Sequence, residues 1–109
     1  MSVMLLHQNV KDGDVERAEA AAHELFAALA RVRPEGIRYA STRVVDSSTF
    51  VALLELSDGG EDPRLAIPEF AQFLEQLEDL VDGPPVIEQL EVVGSYKLFG
   101  AEREESDLR

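Results

Sequence analysis

The sequence predicts an α+β fold in which two helices cover one face of a four-stranded antiparallel sheet. Three observations predict it: two stretches with apolar residues at helical spacing, four strand-like stretches, and turn-forming residues between them. Their order is β-α-β-β-α-β, the split βαβ or ferredoxin-like arrangement. Right-handed crossovers place both helices on the same face of the sheet.

The first strand and the first helix follow each other closely. Val3 to Val10 is apolar at its start and is followed by the turn-prone residues 11–14. An apolar stripe then recurs at steps of three and four residues, which predicts a helix of about 19 residues. Its members are Val15, Ala18, Ala22, Leu25, Leu29 and Val32. We expect Asp12 or Asp14 to cap the start of this helix.

The middle of the chain predicts a hairpin and a second helix. Ile37–Val45 and Thr49–Leu56 are rich in β-branched residues, and the three residues between them are polar and turn-forming. The second helix begins at Pro68, whose fixed φ suits a first helical turn, and a glycine and two prolines at 83–85 end it. Its apolar stripe comprises Phe70, Phe73, Leu74, Leu77, Leu80 and Val81.

The C-terminal part is predicted to complete the sheet and to leave a tail. Val86 to Phe99 is the last strand, long enough for Gly94 to mark a bulge or bend. A single domain is therefore expected over residues 1–100. Residues 101–109 are expected to form a flexible acidic tail, because they contain almost no apolar side chains.

Composition restricts the classes of function. The 109 residues include 10 Lys and Arg against 22 Asp and Glu, a formal charge of −12. This charge repels nucleic acid and anionic lipid, so neither is expected as a partner. The absence of cysteine excludes disulfides, thiolate nucleophiles and cysteine-ligated metals, and no metal or cofactor is expected. No N-terminal segment has the pattern of a signal peptide, so a cytoplasmic location is expected.

The sheet face away from the helices is more apolar than a solvated face. A solvated face would alternate polar residues with the apolar residues of the covered face. Val3 and Leu5 in the first strand, and Val51 and Leu53 in the third, break that alternation. Burying each such side chain is worth roughly 1.5–3 kcal/mol. This apolar face predicts a homodimer, in which a second copy of the chain covers it. The alternative is that one or two of these side chains are tolerated surface aliphatics.

Three polar side chains share this outer face by alternation and are candidate catalytic residues: His7, Asn9 and Glu55. We expect them to face a cavity between the sheet and its partner. A histidine and a carboxylate in an apolar pocket can relay a proton, and Asn9 can polarise a carbonyl or an enolate. The alternative is that His7 and Glu55 pair with each other or with main-chain groups. Candidate substrate-binding residues in the walls are Tyr39, Arg43 and Tyr96, together with Arg38.

Four segments carry a family resemblance. They are Val10-Lys11-Asp12-Gly13 before the long helix, Phe50–Glu55 in the third strand, Ile67-Pro68-Glu69-Phe70 opening the second helix, and Gly83-Pro84-Pro85 before the last strand. Through them the chain resembles the dimeric α+β barrel superfamily, most closely its antibiotic biosynthesis monooxygenase-like branch, from about Val3 to Phe99.

The resemblance implies a dimeric α/β barrel and a link to cofactor-independent monooxygenases of aromatic polyketides and to haem-degrading enzymes. Glu55 falls where the family often carries an acidic strand residue. Catalytic members usually bring an Asn, a Trp and a His into the barrel. This chain has no Trp; Ser57 stands at the family's aromatic position, and Glu69 stands where a His is frequent.

Two functions from different classes follow. The first is cofactor-free oxygenation of a small aromatic or polyketide-type substrate, held in an apolar pocket between sheet and helices. There His7 or Glu55 would deprotonate a phenol or enol, and the carbanion would reduce oxygen directly. The second is a non-catalytic small-molecule-binding or structural homodimer, which the missing Trp and the scarcity of polar pocket groups favour. A regulatory amino-acid-binding domain is a third interpretation.

Overall fold

The computed structural model describes residues 1–98, and it confirms the predicted ferredoxin-like α+β fold. Its elements are β1 (Ser2–Asn9), α1 (Val15–Val32), β2 (Ile37–Arg43), β3 (Thr49–Leu56), α2 (Pro68–Glu78) and β4 (Val86–Leu90). The strands form one antiparallel sheet in the order β2-β3-β1-β4. Phe99 and the predicted acidic tail at 101–109 lie outside the described residues.

The strand boundaries differ from the prediction by one residue at each end of β1, and more markedly at the ends of β2 and β4. β2 ends at Arg43 instead of Val45, because the turn of the hairpin begins at Val44, whose N–H donates to the Thr49 carbonyl at 2.9 Å. β4 ends at Leu90 and does not continue to residue 98. Its register explains this: Leu90 pairs with Val3, so β4 has reached the beginning of β1 and few residues remain there to pair with it.

The start of α1 is built differently from the prediction. Asp14 stands at the N-cap position but makes no capping hydrogen bond; its carboxylate instead accepts from Arg17 at 3.4 Å. Asp12 lies in a short 3-10 turn before the helix and does not cap it either. At the other end Arg33 adopts a left-handed conformation with φ of 55°, and its N–H donates to the Leu29 carbonyl at 2.8 Å.

The core lies between the helices and the inner face of the sheet. One buried apolar cluster joins both helices and comprises Leu25, Ala28, Ile67 and Phe70. A second cluster comprises Val10, Ala18 and Leu80, with Phe50 packed against it. Much of the buried face of α1 is alanine, which allows close approach but fills little volume.

The outer face of the sheet keeps the predicted apolar row. Leu5 lies opposite Leu53, and Leu53 lies opposite Ala40 on its other side. Val3 is buried, whereas Leu5, Val51 and Leu53 are half-buried in the single chain. No helix within residues 1–98 combines the length and apolar character required to cross a membrane.

Candidate functional site

A cavity of about 260 Å³ lies between the inner face of the sheet and the helices. Successive strand residues point to opposite faces, so alternate residues of each strand line it. The strand residues in its wall are Met4, Leu6, Gln8, Tyr39, Ser41, Phe50, Ala52, Leu54 and Ile87. The two helices contribute Ala18, Ala22, Phe70, Phe73, Leu74 and Leu77.

The cavity exists because small side chains face each other across it. Ala18 and Ala22 on α1 and Ala52 on β3 line the space and fill little of it. Larger apolar side chains such as Phe70 and Phe73 surround them. An apolar lining with a few polar groups is the usual composition of a small-molecule site.

Three polar side chains of the lining come from the sheet, namely Gln8, Tyr39 and Ser41. Gln8 is buried, and its Nε2 donates to the Gly83 carbonyl at 3.0 Å, which holds the amide in place. Burial raises the pKa of the Tyr39 phenol, while the positive charge of Arg64 beside it acts in the opposite direction. The net shift keeps the phenol protonated near neutral pH, where it acts as a hydrogen-bond donor.

Arg64 brings a positive charge to the same cavity. Its guanidinium carbon lies 4.9 Å from the centre of the Tyr39 ring and 4.4 Å from that of Phe70. Its Nη2 pairs with Asp62 Oδ2 at 2.8 Å, and its Nε also donates to that carboxylate. Hydrogen bonding to Arg64 lowers the pKa of the Asp62 carboxyl. The side chain is thus fixed between two rings and a carboxylate.

An open groove of about 430 Å³ adjoins the cavity between α1 and the edge strand β2. Arg43 and Glu19 lie in its wall and form an ion pair, with Arg43 Nε 2.9 Å from Glu19 Oε2. The groove and the cavity share four lining residues, namely Ala22, Tyr39, Ser41 and Phe50. The groove therefore provides an approach to the cavity from the sheet edge.

The structure does not bring the three predicted catalytic residues into this cavity. His7, Asn9 and Glu55 lie on the outer face, as alternation predicted, but His7 and Asn9 are exposed. Glu55 pairs with Val3, so His7 lies four residues farther along the sheet, about 13 Å at strand spacing. Within one chain, His7 and Glu55 are therefore too far apart for a hydrogen bond or direct proton transfer between them. Their catalytic role stays a prediction.

Asn9 and Glu55, both on the outer face, differ in their hydrogen bonding. Asn9 Oδ1 accepts from the Thr49 hydroxyl at 2.8 Å. Glu55 is only 8 % exposed, and its Oε1 has no hydrogen-bond partner among the described residues. A buried acceptor without a partner is costly, so this atom indicates a donor that residues 1–98 of one chain do not supply there.

The predicted substrate-binding residues are dispersed. Tyr39 lines the cavity and the groove, whereas Arg43 lines the groove alone. Tyr96 is 83 % exposed in the segment after β4, where the Lys97 ammonium lies 5.3 Å from its ring, and it lines neither space. Arg38 lies opposite Glu55 on the outer face.

Sequence reasoning missed Gln8, Ser41 and Arg64. Gln8 had a signal, because it is a polar residue in the otherwise apolar series of Met4, Leu6 and Val10 on one side of β1. Arg64 had none, since it comes from a loop and a 3-10 turn without hydrophobic periodicity.

Solved structures named "putative antibiotic biosynthesis monooxygenase" share this architecture. The one from Nitrosomonas europaea is 14% identical, with a TM-score of 0.68 and coverage of 84% of this chain and 89% of that one. The one from Caulobacter crescentus CB15 is 22% identical, with a TM-score of 0.65 and coverage of 85% and 90%. The one from Bacteroides thetaiotaomicron is 17% identical, with a TM-score of 0.68 and coverage of 95% of both chains.

No family model matches the chain, and no curated protein sequence matches it. At these identities the similarity is one of fold, and it agrees with the resemblance carried by the four sequence segments. The chain therefore has the ferredoxin-like α+β fold of the antibiotic biosynthesis monooxygenase-like proteins.

Proposed function

We propose that this protein is a homodimeric, cofactor-independent monooxygenase-like protein that takes a small aromatic or polyketide-type molecule into the cavity between sheet and helices. The observation that carries the proposal is the cavity itself, in a fold shared with proteins named as monooxygenases. Its volume of about 260 Å³ is just below the range of about 300–1,000 Å³ usual for drug-sized ligands. A compact ring system is the matching size.

The chemistry of such a reaction suits an apolar site. A methylene group conjugated to a ketone through aromatic rings loses a proton, and the resulting carbanion gives electrons to oxygen. One oxygen atom becomes a new carbonyl on that carbon, and the other leaves as water with the two methylene hydrogens. The substrate supplies all the electrons, so the site must bind the rings, exclude water and stabilise negative charge on the ketone oxygen.

The proposed homodimer forms through the outer face of the sheet. Its support is the half-buried apolar row at Leu5, Val51 and Leu53, together with the buried Glu55 Oε1, which has no hydrogen-bond partner among residues 1–98. A second sheet would cover the row and bring polar groups near Glu55. The structural relatives carry the same fold, which the sequence resemblance associates with dimeric barrels.

The test is oxygen uptake with anthrone as the probe, after subtraction of the uncatalysed reaction. The wild type is expected to consume one oxygen per anthrone and to form anthraquinone. Ala52→Leu, which adds bulk inside the cavity, is expected to lower the rate at least tenfold. The matched control is Ala71→Leu, because Ala71 is exposed on α2 and does not line the cavity. Equal rates in the two variants would contradict catalysis in this cavity.

The same assay decides the role predicted for the outer-face residues. His7→Ala and Glu55→Gln are measured beside the wild type. A loss of uptake in either variant would support the predicted role of that residue, acting from the dimer side of the sheet. Unchanged uptake would reject that role and leave the cavity as the place of reaction.

A second candidate function is binding without turnover. The described lining of the cavity contains no Asp, Glu or His, so no ordinary general base faces the bound rings. Calorimetric titration with anthrone under nitrogen separates the two functions. Binding with no oxygen uptake above the uncatalysed rate would establish the non-catalytic alternative.

A further inference from the structure

The wall of the cavity contains the positive charge of Arg64, and apolar packing alone does not account for a charge at this position. Arg64 lies among the apolar lining, and only 15 % of its side chain is exposed. Burying a guanidinium is costly, and an apolar residue at such a position often stabilises a fold equally well. The residues around it are Tyr39, Phe70 and Asp62, which together fix its orientation.

The geometry leaves part of the guanidinium available. Arginine has five N–H donors, and the bonds to Asp62 use Nε and Nη2. A further side-chain hydrogen bond joins Arg64 to Tyr39, and the N–H groups left outside these bonds can serve another acceptor. Stacking on Tyr39 and Phe70 holds the guanidinium plane, so a donor there is preorganised for an oxygen placed within the cavity.

We propose that Arg64 is the specificity-determining residue of the cavity, and that it selects flat aromatic ligands bearing an anionic oxygen, such as a carboxylate, phenolate or enolate. The inference rests on the proposed function, since it requires a ligand in this cavity. Asp62 acts as a positioning residue that holds the guanidinium and offsets the cost of its burial. The apolar wall binds the rings, and Arg64 distinguishes a charged oxygen from a neutral one.

The test compares two probes of matched size by calorimetric titration: 2-naphthoate, which is anionic at neutral pH, and 2-naphthalenemethanol, which is neutral. The wild type is expected to bind 2-naphthoate at least tenfold more tightly. Arg64→Met is expected to remove this preference while leaving the affinity for the neutral probe within about threefold, because the methionine retains an apolar body in the wall. Arg17→Met removes the same charge from an exposed helix position and serves as the control.

Arg64→Lys gives a second, conservative measurement should the methionine variant fail to fold. It keeps the positive charge but loses the planar fork and its stacking, so a reduced preference for 2-naphthoate is expected. A wild type that binds both probes equally, or an unchanged preference in Arg64→Met or in a folded Arg64→Lys, would overturn the role of Arg64 and leave the cavity proposal intact. A wild type that binds neither probe would contradict the cavity proposal and this inference with it.

Discussion

The ion pair of Arg64 and Asp62 contributes to the stability of the fold, and in the proposal above it also orients Arg64 for ligand recognition. Both side chains are largely buried, and the carboxylate receives several hydrogen bonds, one of them from the Arg64 main-chain N–H. Such contacts favour the ionised carboxyl and lower the pKa of Asp62. The pair therefore stabilises the folded chain only while Asp62 is charged.

The first prediction at this scale concerns acid stability. Because the folded-state pKa of Asp62 lies below the ordinary value of about 3.9, its contribution is present above that value and is lost as the pH falls through the folded pKa. Asp62→Asn is expected to lower the stability near neutral pH and to flatten its dependence on pH below about 4. Urea unfolding at several pH values measures both effects.

The control for this prediction is the neighbouring Glu61→Gln. Glu61 is exposed in the same loop, so its loss should change neither the midpoint nor the acid slope by much. If Asp62→Asn and Glu61→Gln had the same acid slope as the wild type, the ion pair would have no measurable part in stability.

Among the elements, α1 ends with a non-glycine residue in a backbone conformation that favours glycine. Arg33 has a φ of 55°, in the left-handed region that glycine occupies without steric cost. The helix nevertheless ends there, since Pro34 follows at once and the chain must turn toward β2. The hydrogen bond from Arg33 N–H to Leu29 holds this turn.

The prediction for this element is a gain of stability. Arg33→Gly should raise the free energy of unfolding by about 0.5–1 kcal/mol, because the left-handed strain is relieved by more than the unfolded chain gains in entropy. Ala30→Gly, three residues earlier on the exposed side of α1, should instead lower it by about 1 kcal/mol. Urea denaturation of the two variants provides the measurement, and a loss of stability in Arg33→Gly would disprove the interpretation.

At the scale of the whole molecule, the exposed surface and the charge act in opposite directions. The apolar row on the outer face favours association of two chains. Each protomer carries a formal charge of −12, so two protomers repel one another at a distance. The balance predicts a dimer that strengthens as salt screens the repulsion.

The prediction for the whole molecule is tested by light scattering after size exclusion. The wild type is expected to have twice the mass of the chain at micromolar concentration, and Leu53→Glu at the centre of the row is expected to be monomeric. Val45→Glu places the same charge on a side chain that is 82 % exposed in the hairpin turn, and it should leave the dimer unchanged. A monomeric wild type would contradict the proposed assembly.

Much of the fold could be predicted because its signals are local. The spacing of apolar residues placed α1 and β3 at their observed positions, and Pro68 marked the start of α2. The last strand was predicted too long because its end depends on β1. β4 stops where Leu90 pairs with Val3, near the beginning of β1. The composition of residues 86–99 does not indicate where this pairing ends.

The candidate site was predicted less well, for a related reason. Alternation assigned His7, Asn9 and Glu55 to one face, and that assignment agrees with the strand register. It could not reveal that His7 and Glu55 lie about 13 Å apart along the sheet. It also could not reveal that the cavity is on the opposite face, where Gln8 and Tyr39 meet Arg64.

The order of elements, the two amphipathic helices and the apolar character of both sheet faces can be read from the amino-acid sequence alone, because each follows from periodicity over a few neighbouring residues. The position of the cavity and the charge that borders it depend on how the elements pack in three dimensions. Ala18, Ala52 and Arg64 are far apart in sequence, and packing between elements brings them to one cavity.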